Sequence, residues 1–375
     1  MAEGRDTSSD SDDDRVDFLS DNLENVRPSS SERNTSTPGN KIQRIKLHRG
    51  QVFVELNNAV KNGTVSSNDA VIEVEMILPN GTVEKGEDNG GVFRDALAEY
   101  WETFNKKCAT GSIITVPVTR HDMKETWKYV AEVMIIGYKT VGYFPIKLAK
   151  PFMNHCFGHK TQEDELVKTF LQFIPDHEKK IIEQALTDFQ SVSEDDEFLD
   201  MLDSHEVKPC VREDNFKTIL SEVAHKELIQ DTAYISDCWR VPLKQRLTQL
   251  LPKGGLDELY NKLKPTPHKV TSILQFEEHL ERKEQSISTF LKKYIRQCPE
   301  ERLLRFLRFC TGADVLIASS IKVRFVEPLS DFSRTPVAHT CGYVLEFPNS
   351  YGSYLELAEE LTELLDSKVW VMDIV

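Results

Sequence analysis

Alternation of apolar and polar residues predicts β-strands at three places in the chain. In "VIEVEMIL" (residues 71–78) every second position from Ile72 is apolar, and the Pro-Asn-Gly that follows supplies a turn. "SIKVRFV" (residues 320–326) alternates apolar residues with Lys and Arg, which is typical of a half-buried strand. "KVWVMDIV" (residues 368–375) predicts a strand that closes the chain.

Apolar residues recurring every three or four positions predict helices over most of the remaining chain. The pattern dominates residues 121–260, for example in "ETWKYVAEVMIIGY" and "DHEKKIIEQALTDF". A turn-rich stretch that ends in Asn89, Gly90 and Gly91 leads into a further predicted helix, because glycine adopts backbone angles that most residues avoid.

Helix start and stop signals organise the last 110 residues or so into a compact α/β unit. Pro299 precedes an apolar stripe that Gly312 ends, and Ser353 with Glu356 forms a capping-box pattern before the last helix. "KLKPTPHK" (residues 262–269) contains two prolines and several charges, so we interpret it as a linker between two lobes. The whole pattern predicts an α+β fold with a mostly helical first lobe.

Composition separates residues 1–45 from the rest of the chain. They are dense in Ser, Asp, Asn and Thr and contain few apolar side chains, so we expect a disordered acidic tail. The acidic run Ser8–Asp14 is either a phosphorylation target or only a solubilising stretch. The predicted division is therefore 1–45 (tail), 46–265 (first lobe) and 266–375 (second lobe).

Charge and cysteine usage narrow the function classes. A net charge of −15 over 375 residues disfavours nucleic acid as a partner, because phosphate binding needs clustered Lys and Arg. No apolar run approaches the roughly 18 residues of a membrane span, and the N-terminus shows no secretory signal. Seven cysteines without a CxxC pair favour reduced thiols. We expect no membrane association and a cytoplasmic or nuclear protein, or both.

Cys341 is the main candidate for chemistry, and its residue type leaves three interpretations open. His339 stands two positions earlier, so in an extended backbone both side chains would lie on one face, where the imidazole could favour the thiolate. Cys341 could therefore be a nucleophile or a metal ligand. A free cysteine more often behaves as a small buried hydrophobe, and spacing alone favours that interpretation.

Two further segments carry possible chemistry of their own. His155, Cys156 and His159 lie within five residues, and on a helix the two histidines would share one face and could bind zinc. No fourth ligand is evident nearby, so surface or hydrogen-bonded histidines are the favoured interpretation. The basic stretch of residues 41–49 is either a nuclear-import signal or, as we favour, a solvated segment that enters the domain.

The surroundings of Cys341 resemble the C-terminal lobe of HECT-type ubiquitin ligases. The matching parts are His339-Thr340-Cys341, "VLEFP" at residues 344–348, and the Tyr/Ser segment of residues 351–354 before a helix. Upstream, residues 309–312 ("FCTG") resemble the family's Phe-x-Thr-Gly step.

The similarity extends in the family's order over roughly residues 46–375. Asp88, Gly90, Gly91, Arg94 and Asp95 match an N-lobe motif, and "VGYFPIKLAKPFMNHCFG" (residues 141–158) is like the segment that follows it. Among HECT ligases the chain looks closest to the G2/M-phase-specific type.

The resemblance implies a bilobal fold, with residues 46–265 as N-lobe and 266–375 as C-lobe, and a two-step transfer. Ubiquitin would pass from a ubiquitin-conjugating enzyme to Cys341 as a glycyl thioester, and then to a lysine of a protein substrate. His339 and Thr340 would support these steps. Neither a cofactor nor a metal is implied.

Two departures from the family pattern keep other functions open. Met372 stands where family members usually have Phe, and no strand-rich docking subdomain is evident between residues 185 and 260. The main alternative is therefore a catalytically weak or inactive HECT-like module that binds ubiquitin or another protein. A cysteine hydrolase is a third option, although a papain-like protease would need a separate His and an Asn or Asp that the sequence does not single out.

Overall fold

Helices form most of the structure, and three small sheets complete an α+β fold, which confirms the predicted fold class. The computed structural model describes residues 42–66, 71–84, 90–327 and 334–367. Most of the predicted tail, the strand predicted at residues 368–375, and the positions Asp88 and Met372 lie outside the described residues.

The first part of the chain contains four short strands and ten α-helices among its described residues. The strands are β1 (Ile42–His48), β2 (Val71–Ile77), β3 (Ala109–Thr110) and β4 (Val116–Pro117). The helices are α1 (Val52–Lys61), α2 (Gly91–Cys108), α3 (Trp127–Val141), α4 (Lys150–Phe157), α5 (Glu163–Phe173), α6 (Asp176–Thr187), α7 (Asp196–Ser204), α8 (Phe216–His225), α9 (Ala233–Arg246) and α10 (Gly255–Leu263). A π-helical segment, Lys226–Gln230, continues α8.

The last part of the chain alternates helices with the strands of a single sheet. The helices are α11 (Pro267–Ser272), α12 (Arg282–Gln297), α13 (Glu300–Thr311) and α14 (Tyr354–Ser367). The strands are β5 (Leu274–Gln275), β6 (Ile321–Val326), β7 (Val337–His339) and β8 (Val344–Pro348). They pair in the order β5-β6-β8-β7, and only the β7–β8 pair is antiparallel.

The basic stretch of residues 41–49 is a strand over most of its length, so its interpretation as a solvated segment is wrong. β1 pairs in parallel with β2, and it buries Ile45 and Leu47. Its exposed basic side chains, Arg44 and Lys46, pair with glutamates on β2. The alternation of apolar and polar residues buries one face of the strand and leaves the other face in solvent. β1 therefore begins inside the stretch predicted as tail.

Buried apolar side chains form two cores, and residues 264–269 lie between them in sequence. The first core contains buried residues from Ile45 to Leu263 and also takes in Ala313 and Val315, which follow α13. The second core runs from Val270 to Leu365. The connection is shorter than the predicted linker, since α10 ends at Leu263 and Thr266 already caps α11.

The predicted helix boundaries in the last part of the chain are largely confirmed. α13 follows Pro299 and ends at Gly312, which has a left-handed backbone with φ of 77°. The Ser353 hydroxyl accepts from the Glu356 N–H at 3.3 Å, as the capping box predicts. The Glu356 carboxylate accepts from the N–H of Gly352 rather than from that of Ser353.

Candidate active site at the Cys341 turn

Cys341 lies in the tight turn that joins β7 to β8. The turn comprises residues 340–343, and the Gly342 N–H donates to the His339 carbonyl at 3.2 Å. Tyr343 closes it with φ of 53°, a left-handed conformation that is uncommon for a bulky residue. Cys341 is partly exposed, whereas Thr340 beside it is fully buried. The turn thus places a thiol at the edge of the second core.

The start of α2 approaches this turn so closely that only glycine fits there. A Cβ on Gly91 would stand 2.5 Å from Oγ1 of Thr340, 2.9 Å from Sγ of Cys341 and 3.1 Å from the Cys341 backbone nitrogen. Such distances are below the contact limit, so any side chain at residue 91 would push the turn away. Gly90 allows the approach, because its φ of 91° starts the helix from a left-handed conformation.

Arg94 ties the turn to the end of α13 through two backbone carbonyls. Its Nε donates to the carbonyl of Thr311 at 2.7 Å, and its Nη2 donates to the carbonyl of Thr340 at 2.6 Å. The guanidinium also lies 4.7 Å from the ring centroid of Tyr343, within cation–π range. Since Arg94 is only 5% exposed, these contacts are desolvated and hold the Cys341 turn in one orientation.

A second close approach joins the end of α13 to the same helix. A Cβ on Gly312 would stand 2.5 Å from the carbonyl oxygen of Gly91 and 3.3 Å from Cβ of Arg94. Two glycines from distant parts of the chain therefore face each other where α2 begins. Both glycines belong to segments that resemble HECT motifs, Gly91 to the Gly-Gly segment and Gly312 to the Phe-x-Thr-Gly step. The physical reason for glycine at both positions is the backbone contact between the two cores.

A buried ion cluster extends this contact along α2. Asp95 is 1% exposed and accepts from Nε of Arg308 on α13 at 2.7 Å, and it also pairs with Arg49. Arg49 additionally contacts Glu84 at 2.8 Å. Burial by itself would raise the pKa of Asp95, but the two guanidinium groups outweigh it and hold that pKa below its usual value.

The two residues predicted to support Cys341 have different surroundings. Oγ1 of Thr340 is buried and finds no hydrogen-bond partner among the described residues. His339 is the last residue of β7, and its Nε2 lies 3.4 Å from a carboxylate oxygen of Glu346 on β8. The backbone turns directly after His339, so the extended geometry that would place both side chains on one face ends before Cys341.

Four other cysteines of the chain are less suited to nucleophilic chemistry. Burial raises the pKa of Cys108 and Cys298 to about 11, and it raises the pKa of Cys156 and Cys310 as well. A buried thiol with a raised pKa provides little thiolate near neutral pH. Cys210 is exposed and Cys238 is partly exposed.

The geometry of the segment with His155, Cys156 and His159 disagrees with the zinc alternative. α4 ends at Phe157, and Gly158 turns the chain with φ of 77°, so the two histidines do not share a helix face. Nε2 of His155 lies 3.0 Å from a guanidinium nitrogen of Arg240. Burial, followed by this neighbouring charge, lowers the pKa of His155. The described residues contain no group of three His, Cys, Asp or Glu placed to hold a metal.

Sequence reasoning missed the residues that hold the turn. Gly91, Arg94 and Asp95 entered only as parts of a motif, and Arg49 and Arg308 carried no signal. One signal was available in the sequence: Arg and Asp stand in the first turns of a helix whose neighbouring positions are apolar. Such neighbours indicate that the two charges are buried, and a buried charge requires a partner. The partners could not be named, because they lie about 50 to 250 residues away in sequence.

Comparison with known protein families identifies the class of protein that this fold and turn define. The family model described as HECT-domain (ubiquitin-transferase) matches residues 142–367, which is more than half of the chain. The chain belongs to the HECT-domain family. A comparison with curated protein sequences finds no match. No helix among the described residues has the length and apolar character needed to cross a lipid bilayer.

Proposed function

We propose that this HECT domain is a ubiquitin–protein ligase in which Cys341 carries ubiquitin as a glycyl thioester. The family match supports ubiquitin-transferase activity in general. The observation that supports Cys341 is its place on a partly exposed turn, while four of the other cysteines are buried. An acyl carrier must meet two different partners in succession, and loops allow such access better than core positions.

The proposed reaction moves the acyl group twice without any change of oxidation state. The Cys341 thiolate attacks the thioester carbonyl of a ubiquitin-loaded conjugating enzyme, and that enzyme's cysteine leaves as a thiolate. A substrate lysine amine then attacks the Cys341 thioester, loses a proton and forms an isopeptide bond, while the Cys341 thiolate leaves. His339 would assist in deprotonating the amine, and Thr340 would stabilise the developing negative charge.

The proposal assigns residues 46–265 to an N-lobe and 266–375 to a C-lobe. The positions of the two cores and of the connection at residues 264–266 support this division. The partners are a ubiquitin-conjugating enzyme, ubiquitin and a protein substrate, and no cofactor or metal takes part. We further propose a cytoplasmic or nuclear location, or both. The similarity to the G2/M-phase-specific type stays a proposal, since the family match reaches the HECT domain and no subtype.

A loading assay with a mutant control tests the proposal. The full chain is incubated with activating enzyme, a panel of conjugating enzymes and ubiquitin, and samples are separated with and without reductant. We expect a reductant-sensitive ubiquitin adduct, which Cys341→Ala abolishes and Cys210→Ala, at the exposed cysteine, leaves intact. An adduct that survives Cys341→Ala would contradict the proposal, as would no adduct with any conjugating enzyme.

The close packing of Gly91 on Cys341 favours a second candidate function. Because one side of the thiol is covered by the start of α2, the chain could be a catalytically weak or inactive HECT-like module that binds ubiquitin or another protein. The same assay separates the two functions. An inactive module would show saturable ubiquitin binding in a titration but no adduct on Cys341.

A further inference from the structure

We propose that the start of α2 completes the acyl-transfer site, with the Gly91 N–H and the Thr340 hydroxyl as the donors that bind the oxyanion. This inference rests on the proposed function of Cys341 and goes further, since it assigns a catalytic group to a helix of the other core. It also gives a chemical reason for a glycine at residue 91.

The first observation is the position of a helix N-terminus beside the thiol. α2 has 18 residues, and the first N–H groups of any helix have no intrahelical acceptor. Its N-cap is Gly90, which offers no side chain, and its first turn contains no acidic residue. Sγ of Cys341 lies 2.9 Å from the point where a Gly91 Cβ would stand. The positive end of the helix dipole therefore lies beside the reacting atom.

The second observation is independent of the helix and concerns the hydroxyl of Thr340. Its Oγ1 is fully buried without a hydrogen-bond partner among the described residues, and it lies 2.5 Å from the same Gly91 Cβ point. A buried hydroxyl without a partner destabilises the folded state. Valine has nearly the same shape and would avoid that cost. A polar group kept at such a cost beside a nucleophile indicates a partner that is present only during the reaction.

The donors fit the charge that acyl transfer creates. When the Cys341 thiolate forms its bond to the carbonyl carbon, one electron pair of the C=O bond moves to oxygen. The tetrahedral oxyanion accepts hydrogen bonds from the Gly91 N–H and the Thr340 O–H. It collapses when that pair re-forms the C=O bond and expels the leaving thiolate. Arg94 is a positioning residue here, since it holds the Thr340 carbonyl at 2.6 Å and thereby fixes the hydroxyl.

A comparison of two thiol reactions isolates the effect of oxyanion stabilisation on the rate. Acylation by acetyl-Gly-Gly benzyl thioester passes through an oxyanion, whereas alkylation by iodoacetamide does not. Both rates are measured on the full chain by mass spectrometry of the peptide that contains Cys341. The peptide containing Cys210 gives an internal reference, because that thiol is exposed.

Thr340→Val is the principal variant, and Thr340→Ser is its matched control. We expect Thr340→Val to lower the ratio of acylation to alkylation at Cys341 by about 100- to 1,000-fold, the size of effect for a lost oxyanion donor. The ratio at Cys210 stays constant, and the melting temperature does not fall. Thr340→Ser retains the hydroxyl and stays within about 3-fold of the wild-type ratio.

Gly91→Ala tests the helix side of the site, and Gly342→Ala is the control within the turn. The added methyl of Gly91→Ala separates α2 from the turn, so acylation falls at least 10-fold while alkylation does not fall. At Gly342 a Cβ would meet only Cγ2 of Val344, at 3.6 Å, so both rates should persist.

An unchanged ratio in Thr340→Val would overturn the inference, as would an equal fall of both rates, which would indicate lost access. The readout requires no ubiquitin or conjugating enzyme. If the wild-type chain accepts no ubiquitin, the proposed function fails, while the ratio still decides whether the oxyanion donors exist.

Discussion

Two buried ion clusters of this HECT domain have the same design with the signs reversed. In one, the Asp95 carboxylate lies between the guanidinium groups of Arg49 and Arg308. In the other, the His205 imidazole lies between the carboxylates of Glu178 and Glu227, and each ring nitrogen faces one of them. The central group of each cluster is largely buried, with the side chain 1% exposed for Asp95 and 11% for His205.

The two clusters differ in what they join. Asp95 on α2 pairs with Arg49, the residue after β1, and with Arg308 on α13, so its ion pairs bridge the first core and the second. His205 follows α7 and connects α6 with the π-helical segment Lys226–Gln230, all within the first core. A largely buried charge can thus fix the position of two cores relative to each other, or only the local structure within one core. The first cluster lies one turn from the Cys341 contact, so it bears on the candidate site.

The largest expected effect is that of Asp95→Ala. The substitution leaves Arg49 and Arg308 with reduced neutralisation in a desolvated position, and breaking a buried pair in this way costs about 3–5 kcal/mol. We expect the free energy of unfolding, measured by urea denaturation at pH 7, to fall by that amount.

Glu102→Ala is the matched control, because Glu102 contacts the same Arg308 at 3.2 Å from a side chain that is 42% exposed. An exposed pair contributes about 0–1 kcal/mol. Equal losses in the two variants would show that burial of Asp95 does not set the strength of the cluster.

Gly312→Ala opens the same contact without changing a charge. Alanine at φ of 77° costs about 1–2 kcal/mol in backbone strain, and the added Cβ would clash with the Gly91 carbonyl at 2.5 Å. We expect a loss of about 2–4 kcal/mol in the unfolding free energy, together with faster iodoacetamide labelling of Cys341.

Gly255→Ala separates strain from contact in that experiment. Gly255 also has a positive φ, 66°, but no atom lies within 4 Å of its would-be Cβ. Gly255→Ala should lower the free energy of unfolding by only about 1–2 kcal/mol, with no change in Cys341 labelling. If Gly312→Ala matched this control in both measurements, the close approach of α13 to α2 would not contribute to the free energy of unfolding.

The sequence predicted local features well because their signals are local. Period-two alternation located β2 and β6, and Pro299 with Gly312 located α13. β1 was misjudged because its basic residues, Arg44, Lys46 and His48, hide an apolar face of two buried side chains, Ile45 and Leu47. At the candidate site, the sequence identified Cys341 itself, through the resemblance to HECT ligases, but not the residues that surround it in the structure. Its packing on Gly91 and its link to Arg94 depend on contacts across some 250 residues, which no local pattern encodes.

His205→Gln is expected to have a smaller effect than the Asp95 variant. Glutamine can donate to one of the two carboxylates but carries no charge, so Glu178 and Glu227 lose their shared cation. We expect a loss of about 1.5–3 kcal/mol in the unfolding free energy at pH 6, because hydrogen bonds to charged groups are worth this much. His177→Gln is the control, since His177 is 74% exposed and lies 3.7 Å from the same Glu178. A similar loss in both variants would contradict a specific role of His205.

The smallest expected effect is on the pH dependence of stability, where the two clusters act in opposite directions. Burial by itself would lower the pKa of His205, but the hydrogen bond and charge of Glu227, joined by Glu178, raise it above its usual value. The neighbouring Lys226 is paired with Glu206, which leaves the two carboxylates as the main charges on the ring. A raised histidine pKa gives stability that is complete below about pH 6.5 and is lost as the pH rises through the folded-state value. For Asp95 the pKa is lowered, so its contribution is complete above about pH 4 and is lost as the pH falls through the folded-state value.

Urea denaturation between pH 3 and pH 9 should therefore show two separate effects on the free energy of unfolding. His205→Gln should flatten its decline at alkaline pH, and Asp95→Asn should flatten its decline at acid pH, each leaving the other side unchanged. If Asp95→Asn altered the alkaline side, the two clusters would be coupled, and the ion pairs between the cores would depend on the order of α6 and the π-helical segment.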